Sequence, residues 1–249
     1  MTDIVFLTGI PVDHVLARLA DADGDEINSG KLQNPDSSAM LAVNAFGWFI
    51  ERPALLPPFP ELEGVFPASM VEVEFKARFP WRGGRHPSLD AAVETATHFI
   101  GIESKRYEPF RDTKSVNFSD AYDRPVWGEN MGPFEKMRDQ LRSRDIKFDY
   151  LDAAQLVKHA FGLVTEGVRR KKTPALVYLY SEPARLAGKD IHPEAIDRHR
   201  QEVREFGLAV AGAEVGFSAV SYREWIGTWG SADETVVAHG RRLLDVFAP

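Results

Sequence analysis

The sequence predicts an α/β protein, a mixed β-sheet flanked by helices on both faces. Three observations carry that expectation. Val71, Val73, Phe75 and Ala77 alternate with Glu72, Glu74, Lys76 and Arg78, the period of a strand with one buried face. After an antiparallel start, segments of helical and of strand pattern alternate to the end of the chain. The 249 residues, 44% of them hydrophobic, suffice for a sizeable core.

In order, Ile4–Thr8 reads as a short strand and Val12–Leu19 as a short helix, followed by the acidic loop Asp21–Glu26. Ser37-Ser38 offers an N-cap to a helix over Ala39–Phe49, and Pro53, Pro57, Pro58 and Pro60 then enforce a loop. A strand runs from Ser69, and Gly83-Gly84 marks a turn. Leu89–Val93 and His98–Lys105 fit two strands joined by a tight turn over Glu94–Thr97. Helical patterns follow at Pro133–Arg144 and Leu151–Val168, then a strand at Pro174–Tyr180 and a long helix at Pro193–Gly212. Gly216–Tyr222 reads as a further strand and Ala232–Phe247 as the closing helix. The expected organisation is an acidic N-terminal extension, residues 1–35, and an α/β domain over 36–249, together one compact unit.

Zero cysteine excludes a disulfide scaffold, a thiolate zinc site, an iron–sulfur cluster and a cysteine nucleophile. Asp3 stands where a signal peptide carries a base, and no stretch approaches the ~20 apolar residues of a membrane helix. The expectation is a soluble cytoplasmic protein with no membrane partner. The net charge of −7 is carried by residues 1–65, with ten acids against three bases. The rest balances at 27 of each, so acidity says nothing against nucleic acid there. Between Arg138 and Lys172 nine bases face five acids, ending in Arg169-Arg170-Lys171-Lys172, either a solvated helix end or a phosphate patch. No Gly-rich phosphate loop, nucleophile elbow or zinc-binding helix motif is present.

The informative segment is His86–Lys105. Alternation along a strand points Glu103 and Lys105 one way and Ile100, Ile102 and Ser104 the other. On the preceding strand Leu89, Ala91 and Val93 are expected to share a face opposite to Asp90. A hairpin turning near Glu94–Thr97 brings Asp90 close to Glu103, so two carboxylates and an ammonium converge. Hard divalent cations take one or two carboxylates plus waters and substrate phosphates. A cation so held activates water and neutralises charge building on a phosphate. Cross-strand pairing of Glu and Lys on an exposed hairpin is the alternative reading of the same residues.

Asp90 followed thirteen residues later by Glu103-Ser104-Lys105 resembles the PD-(D/E)XK nuclease signature, with Leu-Asp in place of Pro-Asp. The passages Ser37–Asn44, His86–Asp90, Ile102–Pro109 and Tyr178–Pro183 are similar to a family of bacterial restriction-endonuclease-like proteins, over roughly Gly30 to Trp229. The resemblance implies a restriction-endonuclease-like core and Mg²⁺- or Mn²⁺-dependent hydrolysis of phosphodiester bonds in DNA. It makes Asp90 and Glu103 metal ligands and Lys105 the catalytic lysine. It leaves a monomer and a homodimer open, and since such folds include inactive members, a non-catalytic nucleic-acid- or protein-binding protein is the alternative.

Supporting candidates are weaker. Gln155 occupies a helix where some such nucleases carry glutamine with an aromatic four residues on, but here the fourth residue is His159. His86 precedes Pro87 at the entry to the Asp90 strand, to touch a phosphate, to order the loop, or simply to fill a loop hydrogen bond. Glu72, Glu74 and Glu108 are candidates for a third carboxylate or for pairing with Lys76, Arg78 or Arg106. Asp21, Asp23 and Asp25 mimic a calcium loop, yet Glu26 stands where that loop needs glycine and Leu32 where it needs glutamate. Tyr222, Trp225 and Trp229 near Arg223 fit base stacking or, more simply, the core.

Overall fold

The computed structural model describes residues 6–21 and 37–249. Among them a five-stranded mixed sheet is built from β1 (Ala68–Lys76), β2 (Ser88–Thr95), β3 (His98–Lys105), β4 (Thr173–Tyr180) and β7 (Gly216–Ser221), in the order β1-β2-β3-β4-β7. The first three strands are antiparallel neighbours, and β3, β4 and β7 run parallel. Chain topology requires that change, because a loop over residues 77–87 and a tight turn after Thr95 join β1, β2 and β3, whereas helices intervene before β4 and β7. β4 reads PALVYLY without alternation and is buried from Pro174 onward, as a central parallel strand must be. β5 (Arg185–Leu186) and β6 (Lys189–Asp190) form a small separate hairpin.

One face carries α1 (Val12–Asp21), α2 (Ser38–Gly47), α7 (Tyr222–Gly227) and α8 (Glu234–Phe247) around a core holding Val15, Phe46, Val93, Ile102, Val177 and Trp225. The other carries α4 (Gly132–Ser143), α5 (Ala153–Arg170) and α6 (Pro193–Val210) over Phe99, Trp127, Phe161, Leu176 and Phe206. A short α3 (Glu108–Arg111) follows β3. α2 begins where expected, with Ser37 Oγ accepting the Met40 N–H, and is buried on every side from Ala39 to Gly47. α1 contributes Val15 and Leu19, both buried, to the first core, so part of the acidic N-terminal stretch is packed against the sheet. Among the described residues no helix is long and apolar enough to cross a membrane.

Three local expectations change. Phe6–Thr8 is not a strand: the Leu7 N–H is taken by Asn44 Oδ1 at 2.8 Å, and the chain turns at Gly9 (φ +93°). Ile4 and Val5 of that expectation, and Asp23, Asp25, Glu26 and Leu32 of the calcium-like loop, lie outside the described residues. On β2, Ala91 and Val93 join the first core but Leu89 joins the second, so the alternation breaks beside Asp90. The break lies across from Glu74, whose φ of +51° distorts the edge strand there. The last strand stops at Ser221 because Ser221 and Glu224 form a capping box that starts α7.

The basic run and the aromatic cluster resolve to structure. Arg169 donates to the Arg78 and Phe79 carbonyls at 2.7 and 2.8 Å, and Lys172 donates to those of Thr95 and Ala96 at 2.6 and 2.8 Å. Arg170 pairs with Glu94 at 2.6 Å, so these cations hold the β1–β2 connection and the hairpin turn. Tyr222, Trp225 and Trp229 are buried, with Trp225 stacked against both Phe46 and Phe59, and are closed to base stacking.

Candidate active site

The β2–β3 register pairs Ala91 with Ile102 and Ala92 with Gly101. Continued by one pair, it sets Asp90 across from Glu103. Asp90 Oδ2 accepts the Ser104 N–H at 2.6 Å, fixing the carboxylate over the end of β3. The Lys105 ammonium contacts Glu103 Oε1, and His159 Nε2 lies 2.8 Å from Glu103 Oε2. Parallel pairing adds Tyr178 opposite Glu103, which puts the cluster at the C-terminal ends of parallel strands, where α/β sheets commonly hold ligands.

Close approach of α5 to the sheet makes this arrangement possible. Gly101 sits between Leu89 and Leu163, and a Cβ there would fall 2.7 Å from a methyl of each. Glycine at 101 therefore lets α5 settle on β2 and β3, and His159, one turn before Leu163, reaches Glu103. Behind the cluster, Ser104 Oγ and Tyr222 OH are 2.7 Å apart. Glu108 accepts the Arg106 N–H at 2.9 Å and is contacted by Ser38 Oγ, tying the start of α2 to the loop after β3.

The electrostatics of the two acids are opposite. Burial pushes the Glu103 carboxyl up, but the charges of Lys105 and His159 outweigh it and hold the group at about 2. For Asp90, burial and then the negative charge of Glu103 push the carboxyl well above the usual range, with Glu74 adding to the effect and Lys105 opposing it. Burial lowers Lys105, yet Glu103, Asp90 and Glu108 more than compensate, so the ammonium stays protonated. Glu103 is thus a firmly ionised carboxylate, and Asp90 is a strained neighbour that a further positive charge would relieve.

Asp90, Glu103 and Lys105 come together, and Gln155 lines a small cleft of about 130 Å³ with Lys105, Glu108, Lys114, Asp152 and Tyr178. His86 does not join them: its Nδ1 accepts the Phe79 N–H at 3.1 Å, and the ring lines a separate groove with Arg78 and Arg82. Glu72 is turned to His14 and Arg18, at 3.0 and 3.6 Å. Sequence reasoning passed over His159 as a mismatch for an aromatic position. The usable signal was its spacing of four from Gln155, which puts both on one helical face toward β3.

A model of the family described as restriction endonuclease associating with ARP matches residues 3–239. The chain belongs to that family. Membership in this restriction-endonuclease family carries a nuclease-like function and agrees with the mixed sheet flanked by helices. Comparison with curated proteins and with solved structures found no match.

Among the described residues no group of three or more His, Asp or Glu side chains is already arranged around a cation position. The donor set nonetheless suits a hard divalent ion, which takes one or two carboxylates and fills its remaining positions with water and substrate oxygens. Asp90 and Glu103 would supply the carboxylates of such a site, and the raised Asp90 carboxyl marks a place short of positive charge.

Proposed function

We propose that the protein is a divalent-metal-dependent deoxyribonuclease that hydrolyses phosphodiester bonds. The observation that supports it is the cluster of Asp90, Glu103 and Lys105 at the ends of β3 and β4, with the charge imbalance at Asp90. Asp90 and Glu103 are the ligands for Mg²⁺ or Mn²⁺, which when bound supplies Lewis-acid stabilisation of the phosphate and an activated water.

The chain's own groups do the rest. The Ser104 N–H orients Asp90, and His159 and Lys105 hold the two oxygens of Glu103. The Lys105 ammonium, kept charged by its acidic neighbours, is a fixed positive charge beside the scissile phosphate. Such a preorganised charge is worth most where charge builds in the transition state. Gln155, in the same cleft, offers an amide to a phosphate oxygen. The division into an acidic segment 1–35 and a catalytic unit 36–249 belongs to this reading.

A second reading is a non-catalytic, nucleic-acid-binding member of the fold. What favours it is that both Glu103 oxygens already contact protein side chains, the Lys105 ammonium and the His159 imidazole. Incubation of duplex and single-stranded DNA with the protein and with Asp90→Ala, each with and without Mg²⁺ or Mn²⁺, separates the two. Nuclease action predicts metal-dependent cleavage that the variant lacks. Binding without cleavage under every metal condition supports the second reading.

A further inference from the structure

The small cleft that holds Lys105 and Gln155 does not end there. Lys114 and Asp152, which line it, also line a cavity of about 720 Å³ that runs beneath residues 114–118 toward the end of α4. That volume falls in the range of roughly 300–1,000 Å³ typical of small-molecule sites. Its floor is apolar, formed by Leu141, Phe148 and Leu151, all buried in the second core. Phe118 stands at its side, with Lys158 Nζ 5.4 Å and Arg142 Cζ 5.8 Å from the ring centroid and Tyr122 packed edge-on to the ring. Val116, also lining it, is 46% exposed.

The lining carries the cations Lys114, Arg142, Arg144 and Lys147 among the acids Asp120, Asp123 and Asp152, and its cations differ in what they already hold. Arg142 is paired with Asp123 at 2.7 Å, and Lys147 with Asp149 at 2.5 Å. Lys114 donates to the Glu108 carbonyl and, at 2.7 Å, to that of Asp112, on the side toward Lys105. The Arg144 side chain is exposed and enters no ion pair among the described residues. An apolar, aromatic-sided floor with Arg144 exposed at its rim suits a ligand with a flat apolar body and an anionic end. A nucleotide has that form, because any base can stack on an aromatic ring while its phosphate meets the rim.

We propose that this cavity receives one unpaired nucleotide of the DNA strand cut at Asp90, Glu103 and Lys105, with the base against Phe118 and the phosphate toward Lys114 and Arg144. The proposal rests on the nuclease reading and adds a substrate class to it: DNA with an extrahelical or unpaired base near the scissile bond. Lys114 and Asp152 line both the cavity and the cleft that holds Lys105, so the two spaces adjoin.

Two variants test the pocket without touching the catalytic cluster. Arg144→Gly removes the cation at a position of φ +65°, where glycine is favoured, and Val116→Asp adds a carboxylate on an exposed loop residue. Duplex DNA carrying one unpaired 2-aminopurine, and the fully paired duplex, are titrated fluorimetrically with Ca²⁺ replacing Mg²⁺. The wild type is expected to bind the bulged duplex more tightly, with a change in 2-aminopurine emission. Each variant is expected to weaken only that binding, by about fivefold, the effect of roughly 1 kcal/mol. Equal binding of both duplexes by the wild type, or variants that leave the bulged duplex unaffected, overturns the proposal. Cleavage of the paired duplex in Mg²⁺ is scored in parallel. Cleavage without bulge preference removes the pocket alone, and bulge preference without cleavage of any DNA removes the nuclease reading alone.

Discussion

Replacing Lys105 by Met removes the ammonium while keeping most of the side-chain volume, and exposes how much the cluster depends on charge pairing. Glu103 is 2% exposed and titrates at about 2 instead of 4.5. Each pH unit is worth about 1.36 kcal/mol, so the folded site favours the ionised carboxylate by roughly 3 kcal/mol, shared between Lys105 and His159. Without Lys105, burial acts on Glu103 with only His159 opposing it, and breaking one side of a buried pair costs on the order of 3–5 kcal/mol. Lys105 is itself partly open to solvent, at 16% exposure of its side chain, so the expected loss at pH 7 is about 2–3 kcal/mol. The pH dependence gives the sharper test. A lowered carboxyl stabilises the fold above its unfolded value of 4.5 and loses that contribution as pH falls toward 2. Urea denaturation of wild type and Lys105→Met should therefore show a difference that is largest near pH 7 and roughly halved near pH 3. A difference that is constant across that range would refute the charge-pair reasoning and leave only lost packing.

Asp90→Asn keeps an oxygen for the Ser104 N–H but removes a carboxyl that burial and Glu103 push up, so at pH 7 the variant should gain about 0.5–2 kcal/mol while losing cleavage. Thermal unfolding and a gel assay check the two halves, and a destabilised Asn variant would contradict the electrostatic picture. Gly101→Ala should cost about 1–3 kcal/mol and weaken cleavage, because its methyl meets Leu89 and Leu163 at 2.7 Å and pushes α5, with His159, off the sheet. A variant as stable as the wild type by calorimetry would mean that α5 does not seat there so closely.

The strands of the candidate site were legible because alternation is a local property. Val71 to Arg78 announces β1, and the eight residues His98–Lys105 coincide with β3. The bound on α2 followed from Ser37, whose capping oxygen acts within one turn. What failed depends on contacts remote in sequence. Leu89 changes face because of the distorted backbone at Glu74 on another strand, and Leu7 leaves the ladder pattern because Asn44 takes its N–H. The spacing from Gln155 puts His159 on the helical face toward β3, but its contact with Glu103 depends on the crossing of α5 over Gly101, which is a matter of packing. α7 was legible and passed over, since Ser221-Tyr-Arg-Glu224 has the spacing of a capping box.

Calorimetric titration of Mg²⁺ into wild type, Asp90→Ala and Lys105→Ala, paired with single-turnover cleavage by the same proteins, tests the central claim most directly. Lysine is not a metal ligand, and its ammonium competes for Glu103, so Lys105→Ala should bind Mg²⁺ at least as tightly as wild type. It should cleave about 10²–10³-fold more slowly, as expected for loss of one well-placed charge. Asp90→Ala should lose both binding and cleavage. Normal cleavage by Lys105→Ala, or undiminished Mg²⁺ affinity in Asp90→Ala, would contradict the assignment of metal binding to the carboxylates and of chemistry to the lysine.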